Sequence, residues 1–399
     1  MFAENYIHKN CNFPVFIEGK PEKGTGIIIV IPCMDEPDIL ITLSSIENCL
    51  QIVSKVEVLI VINESELADA RLREVNKESY RKIIEWSSTL QPGFISYHPI
   101  YPASFPKKWA GAGLARKTGM DEAIRRFAFL NNKKGVILSL DADTSVDSNY
   151  LFEVEKYFVN NPDKIGATIK FKHQTVGLNP RQKEGIGLYE TYMQYYKEAV
   201  AYTGFPFPMY TIGSAFAVIA DAYVKQGGMV KRPAGEDFYF LNKLTSLGEI
   251  GEITNTCVYP SARISGRVTF GTGPNMKKWM EGDEGLKLTY NFQAFLDLKI
   301  FFDIKGQLYK IPEIDYLQFV GQLPNPIKEF LLEDDFYKQI ISLNNNCSSE
   351  KSFSSRFFQI FNAFKILKFL NYSHKELYRK EKLSEQIEKL NIAVGLNNG

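Results

Sequence analysis

Five β-branched residues in unbroken succession, Ile27-Ile28-Ile29-Val30-Ile31, constrain the fold of this chain more than any other feature. A run with no polar alternation is a strand buried on both faces, and Pro32 stops it. Val56-Glu57-Val58-Leu59-Ile60-Val61-Ile62 and Val136-Ile137-Leu138-Ser139-Leu140 are of the same kind. Shorter strand patterns stand at Phe94 to Pro99, Ile165 to Phe171 and Tyr210 to Ile219. Helical spacing separates them, in Ile39, Leu40, Leu43 and Ile46, in Met120, Ala123, Ile124 and Phe127, and around residues 66–85, 149–160 and 183–202. Strands alternating with helices predict an α/β fold with a parallel, doubly wound sheet.

The 399 residues exceed one average domain. Beyond Trp279 the pattern is mostly helical, so a first domain over 1–285 and a helical C-terminal region over 286–399 are expected. A net charge of +1 removes the electrostatic case for nucleic acid as main partner. The five cysteines are scattered, odd in number and without a C-x-x-C pair, which disfavours both a disulfide framework and a zinc site. The N-terminal MFAENYIHKNCNF lacks the basic-then-apolar order of a signal peptide. No apolar run approaches the roughly 20 residues that span a bilayer. These features predict a cytosolic protein in a reducing compartment.

The strand at Val136 runs straight into Asp141-Ala142-Asp143. Such a strand delivers its carboxylates to the carboxyl edge of the sheet, where open α/β folds bind ligands. Two carboxylates there suit a divalent cation carrying a polyphosphate, since hard cations prefer oxygen. Acidic or amide groups end the two preceding long strands as well, at Asp35-Glu36 and Asn63-Glu64, and Glu236-Asp237 opens a later helical pattern. Gly111-Ala112-Gly113 leads into a helix carrying Arg116, where backbone N–H groups and a guanidinium suit an anion.

In this order, and with Gly213-Ser214-Ala215-Phe216-Ala217-Val218 and Gly227-Gly228, these elements resemble the family 2 glycosyltransferases of the GT-A fold over residues 26–250. The resemblance implies a nucleotide-sugar donor, an acceptor hydroxyl and Mn²⁺ or Mg²⁺. Asp141-Ala142-Asp143 is similar to the family's D-x-D motif, which implies Asp143 as ligand of the cation and Asp141 near ribose and metal-bound water. Glu236-Asp237 resembles the E-D motif, which implies Asp237 as the base and Glu236 beside it shaping the acceptor site. Glu36, Asn63 and Arg116 fall where the family touches nucleoside or phosphate. Asn63 departs from the family's carboxylate, because an amide donates as well as accepts, and uridine specificity does not carry over. Within Arg263-Ile264-Ser265-Gly266-Arg267, where GT-A enzymes place a lid over the diphosphate, Arg267 is the expected phosphate contact. Inversion follows from the resemblance alone.

Histidine offers little for a metal, with only His374 following Asp237. Phe357, Phe358, Phe361, Phe364, Ile366 and Phe369 could form one wide apolar face, for internal helix packing, a homodimer or a peripheral membrane contact. The Q-x-x-R-W signature of processive members is absent. Two other readings remain. One is a degenerate sugar-nucleotide binder, against which stands the presence of Asp141, Asp143, Glu236 and Asp237 together. The other is a haloacid-dehalogenase-type phosphatase, whose D-x-D-x-T/V motif is met with Ser at its fifth position and behind two strand–helix units.

Overall fold

The computed structural model describes residues 2–102, 104–232, 235–264 and 271–395. Its chain divides into two compact units, one of residues 1–178 and 211–274, the other of 179–210 and 275–399.

The first unit is built on an eight-stranded sheet. In chain order the strands are β1 (Thr25–Cys33), β2 (Lys55–Ile62), β3 (Ile95–Ile100), β4 (Val136–Ser139), β5 (Ser145–Val146), β6 (Gly166–Phe171), β7 (Phe216–Ile219) and β8 (Ile250–Tyr259). They lie in the order β3-β2-β1-β4-β7-β6-β8-β5. β1 to β4 are mutually parallel, as the alternation with helices predicts. β7 runs antiparallel to both of its neighbours, and β5 to β8, so the sheet is mixed. β1, β2 and β4 are buried throughout apart from Gly26 of β1 and Lys55 of β2, which accounts for their lack of alternation.

One helix, Ala112–Phe129, packs on β1 and β2 and departs from ordinary amphipathicity. Arg116, Lys117, Asp121, Glu122 and Arg126 along it are all buried. Each has an ionic partner: Lys117 pairs with Asp121 at 2.7 Å, Glu122 with Arg125 at 2.9 Å, and Arg126 with Glu57 of β2. The N-terminal residues cover this charged helix. Tyr6 donates its hydroxyl to Asp121 at 2.7 Å, and Arg125 and Arg126 donate to the carbonyls of Pro14 and Gly19 at 2.8 and 2.9 Å.

The second unit is helical apart from the short pair β9 (Leu288–Thr289) and β10 (Glu381–Lys382). Its division from the first does not follow the single cut expected near residue 285. The helix Pro180–Tyr202 belongs to it, because Tyr195, Ala199 and Val200 lie in one apolar cluster with Phe292, Phe295 and Leu298. Phe357, Phe358, Phe361, Ile366 and Phe369 are buried in the same cluster and Phe364 is half-buried. That aromatic face is spent on the protein's own core, so it is not available as a membrane or dimer surface. Among the described residues no helix is long and apolar enough to cross a membrane.

Candidate functional site

The site lies in the first unit, where the carboxyl ends of parallel β1, β2 and β4 meet the start of the helix Glu236–Leu244. Beyond β4, Leu140 N–H still donates to Val30 of β1, and a turn then closes as Thr144 N–H donates to Asp141 at 3.1 Å. This turn holds Asp141 and Asp143 at the sheet edge. Their carboxylates remain 37% and 27% exposed, which leaves them open to a ligand.

Arg116 connects this edge to the helix start. It is only 2% exposed. One guanidinium nitrogen donates to Glu236 and another to Asp141. A β-carbon at Gly213 would stand 2.7 Å from that guanidinium, so Arg116 occupies the space a side chain there would take. Gly235 precedes the acidic helix at φ +71°, a left-handed conformation that glycine adopts without strain. A guanidinium shared by two carboxylates in a buried place is a charge-assisted clasp whose breakage would strand buried charge. These two carboxylates take both terminal nitrogens, while the buried Nε has no hydrogen-bond partner among the described residues. Arg116 was expected at the donor's base or phosphate; the structure places it between Glu236 and Asp141.

The environment separates the two acids of the helix start. Glu236 is buried, and burial raises its carboxyl above the ordinary range while Arg116 pulls the other way. Asp237 is half-buried at the surface and accepts the Phe238 N–H at 2.7 Å. Its carboxyl is pushed up to about 7, by burial first and by the charge of Glu236 second, with Arg116 opposing both. A carboxyl poised near neutrality is suited to general base work at physiological pH.

At the ends of β1 and β2 the structure gathers a second group. Glu36 is buried, its carbonyl receiving Ser79 Oγ at 3.0 Å and its carboxylate receiving Arg263 Nη1 at 2.7 Å. The same guanidinium reaches Asp143 at 2.9 Å. Arg263 thus joins the β1 loop to the acidic turn. The expectation had singled out Arg267 in that segment, which lies outside the described residues, and had passed over Arg263. Asn63 is 3% exposed, with its side-chain N–H₂ 3.9 Å from Met34 Sδ. Neighbouring Glu64 is buried and accepts from Tyr101 Oη at 2.8 Å, Asn76 Nδ2 at 3.2 Å and Ser104 Oγ at 3.3 Å. These bonds set Glu64 as a brace of the β2 end.

His374 is no metal ligand here. Its Nε2 accepts the Asn291 N–H at 2.8 Å, and its Nδ1 lies 2.7 Å from the Leu370 carbonyl, to which it donates. Among the described residues no three His, Cys, Asp or Glu side chains are grouped to hold a metal ion.

No family model matches the chain, and no curated protein matches its sequence. Solved structures similar to it include S. aureus TarS 1–349 in complex with UDP, at 12% identity and TM-score 0.40, covering 89% of this chain and 93% of that one. S. aureus TarS 1–349 in complex with UDP-GlcNAc is similar at 12% identity and TM-score 0.43, over 84% and 92%.

Proposed function

We propose that the chain is a family 2 glycosyltransferase of the GT-A fold, moving a sugar from a nucleotide-sugar donor to an acceptor hydroxyl with inversion. The observation that supports this reading is the Asp141–Arg116–Glu236 clasp, which ties the carboxyl edge of the sheet to the helix start where the neighbouring Asp237 carboxyl is poised near pH 7. Donor and base chemistry would thereby sit on one junction.

The nucleoside end of the donor would lie against the β1 and β2 ends, at Glu36 and Asn63. Asp237 would accept the proton of the acceptor hydroxyl as its oxygen bonds the anomeric carbon. In the same displacement the bond from that carbon to the donor's terminal phosphate oxygen would break, its electron pair leaving with the nucleoside diphosphate. Glu236 and Arg116 would hold the surrounding charge fixed through the step.

The donor set fits a divalent cation of one kind. Asp143 and Asp141 offer hard carboxylate oxygens, and no third protein ligand is grouped with them among the described residues. That suits Mg²⁺ or Mn²⁺ carried by a diphosphate and water rather than a cation in an all-protein cage. Bound there, the cation would neutralise charge on the leaving diphosphate.

The test is a thermal-shift panel of UDP, GDP, CDP and dTDP, each with and without Mn²⁺. A ligand at 100 times its Kd adds about 2.7 kcal/mol of stability. Stabilisation by one nucleotide, dependent on Mn²⁺ and lost in Asp143→Ala, is expected. No stabilisation by any of the four would contradict the donor site. Stabilisation without any nucleotide-sugar turnover would favour the degenerate binder.

A further inference from the structure

The place a diphosphate-borne cation would take beside Asp143 faces a positive group that belongs to the protein. Arg263 Nη2 stands 2.9 Å from Asp143 Oδ2 and also donates to Glu36, to which Nη1 donates at 2.7 Å. Glu36 is buried in the β1 loop, whereas Asp143 is half-buried. One guanidinium therefore spans two carboxylates that would otherwise repel each other across the mouth of the site. A carboxylate oxygen engaged by a guanidinium has that much less to offer a cation, which needs the same lone pairs.

We propose that Arg263 is a built-in competitor of the divalent cation at Asp143, so that the cation binds well only when a nucleoside diphosphate is there to take the guanidinium. The proposal rests on the reading of Asp143 as a cation ligand given above. The diphosphate is a suitable second partner, since its oxygens match the planar fork of arginine as carboxylates do. Arg263 keeps its bond to Glu36 as an anchor or leaves it, and in either case the bond to Asp143 is the one exchanged. The consequence is order. Metal alone binds weakly, nucleotide and metal bind strongly together, and the acidic turn is not left holding a cation without a donor. Coupling of this sort is reciprocal, so metal must strengthen nucleotide binding by the same factor.

Mn²⁺ binding without nucleotide, followed by the electron paramagnetic resonance signal of free Mn²⁺, tests this directly in the full chain. Arg263→Gln should bind Mn²⁺ at least about tenfold more tightly than wild type, within the 5–150-fold span usual for coupled sites. Asp143→Ala should abolish that binding. Arg71→Gln is the control for a general charge effect, because Arg71 is 74% exposed and pairs with Asp35 at 3.5 Å, next to Glu36. It should leave Mn²⁺ affinity unchanged. With UDP added, or whichever nucleotide the thermal panel selects, the gain in Mn²⁺ affinity should be smaller in Arg263→Gln than in wild type. Arg263→Lys keeps the charge, loses the two-carboxylate fork and should fall between the two. It carries the test if the glutamine variant does not fold.

Equal Mn²⁺ affinity in wild type and both Arg263 variants, with Asp143→Ala still abolishing it, would overturn the competitor and leave the cation site standing. An equal gain in Arg71→Gln would overturn it as well. No Asp143-dependent Mn²⁺ binding in any variant, with or without nucleotide, would remove the cation reading and this proposal together.

Discussion

Glu236→Gln probes the charge balance of the site most finely. Glutamine keeps the shape of the side chain and an oxygen for Arg116, and it removes one negative charge beside Asp237. Burial and the Glu236 charge together hold the Asp237 carboxyl at about 7. At an effective dielectric constant of about 20, a unit charge within about 10 Å contributes on the order of 2 kcal/mol. Water reaches half-buried Asp237, which cuts this to on the order of 1 kcal/mol, somewhat under one pH unit. The direction is fixed by sign. A base works ionised, so activity falls as pH falls through its pKa, and losing a repulsive neighbour lowers that pKa. The assay is the pH dependence of kcat/KM for nucleoside diphosphate release from the nucleotide sugar, which reports the free enzyme's base. The acid limb should move from near pH 7 to lower pH in Glu236→Gln. It should move to higher pH in Arg116→Gln, which removes the opposing positive charge. A shift upward in Glu236→Gln, or the same direction in both variants, would refute the assignment of this limb to Asp237.

Asp237→Asn should be more stable than wild type at pH 8 and nearly equal to it at pH 4, measured by urea unfolding. Its raised carboxyl binds a proton more tightly folded than unfolded, so wild type loses stability as pH rises from its ordinary 3.8 through about 7. Gly213→Ala should destabilise by about 1–3 kcal/mol, because the added β-carbon meets the Arg116 guanidinium at 2.7 Å and the clasp must shift. It should also reduce turnover, whereas an alanine at Gly187, which meets nothing within 4 Å, should do neither. Phe361→Ala should cost about 3–5 kcal/mol, since Phe361 is fully buried against Phe301, Phe330 and Phe336. A loss below about 1 kcal/mol by urea unfolding would mean the aromatic core is not packed as described.

Elements with strong local patterns were legible and those set by distant partners were not. The runs of β1, β2 and β4 declare themselves because central parallel strands are apolar on both faces. β8 was missed, since Ile250-Gly251-Glu252-Ile253-Thr254-Asn255 mixes buried and exposed residues with neither continuity nor clean alternation. The direction of β7 was equally hidden, because a four-residue apolar run reads the same in either sense. Arg116 looked like a solvent- or ligand-facing arginine. Its carboxylate partner Glu236 is 120 residues away, and nothing local announces a buried pair. The bond from Arg263 to Glu36 spans 227 residues, so the arginine-bearing segment could be noticed while the arginine that closes on the site could not. The aromatic residues after Phe353 were readable as an apolar face, but their destination in an internal core depended on the helix Phe292–Asp303.

The central claim is that Asp237 takes the acceptor's proton beside a donor held at the Asp141 edge. Donor affinity and donor turnover measured on Asp237→Asn, with the nucleotide sugar chosen by the thermal panel, test it in one variant. The account predicts a Kd within about twofold of wild type and loss of nucleoside diphosphate release by 100-fold or more, in the range general base catalysis supplies. Wild-type turnover in Asp237→Asn would contradict it and take Asp237 out of the reaction.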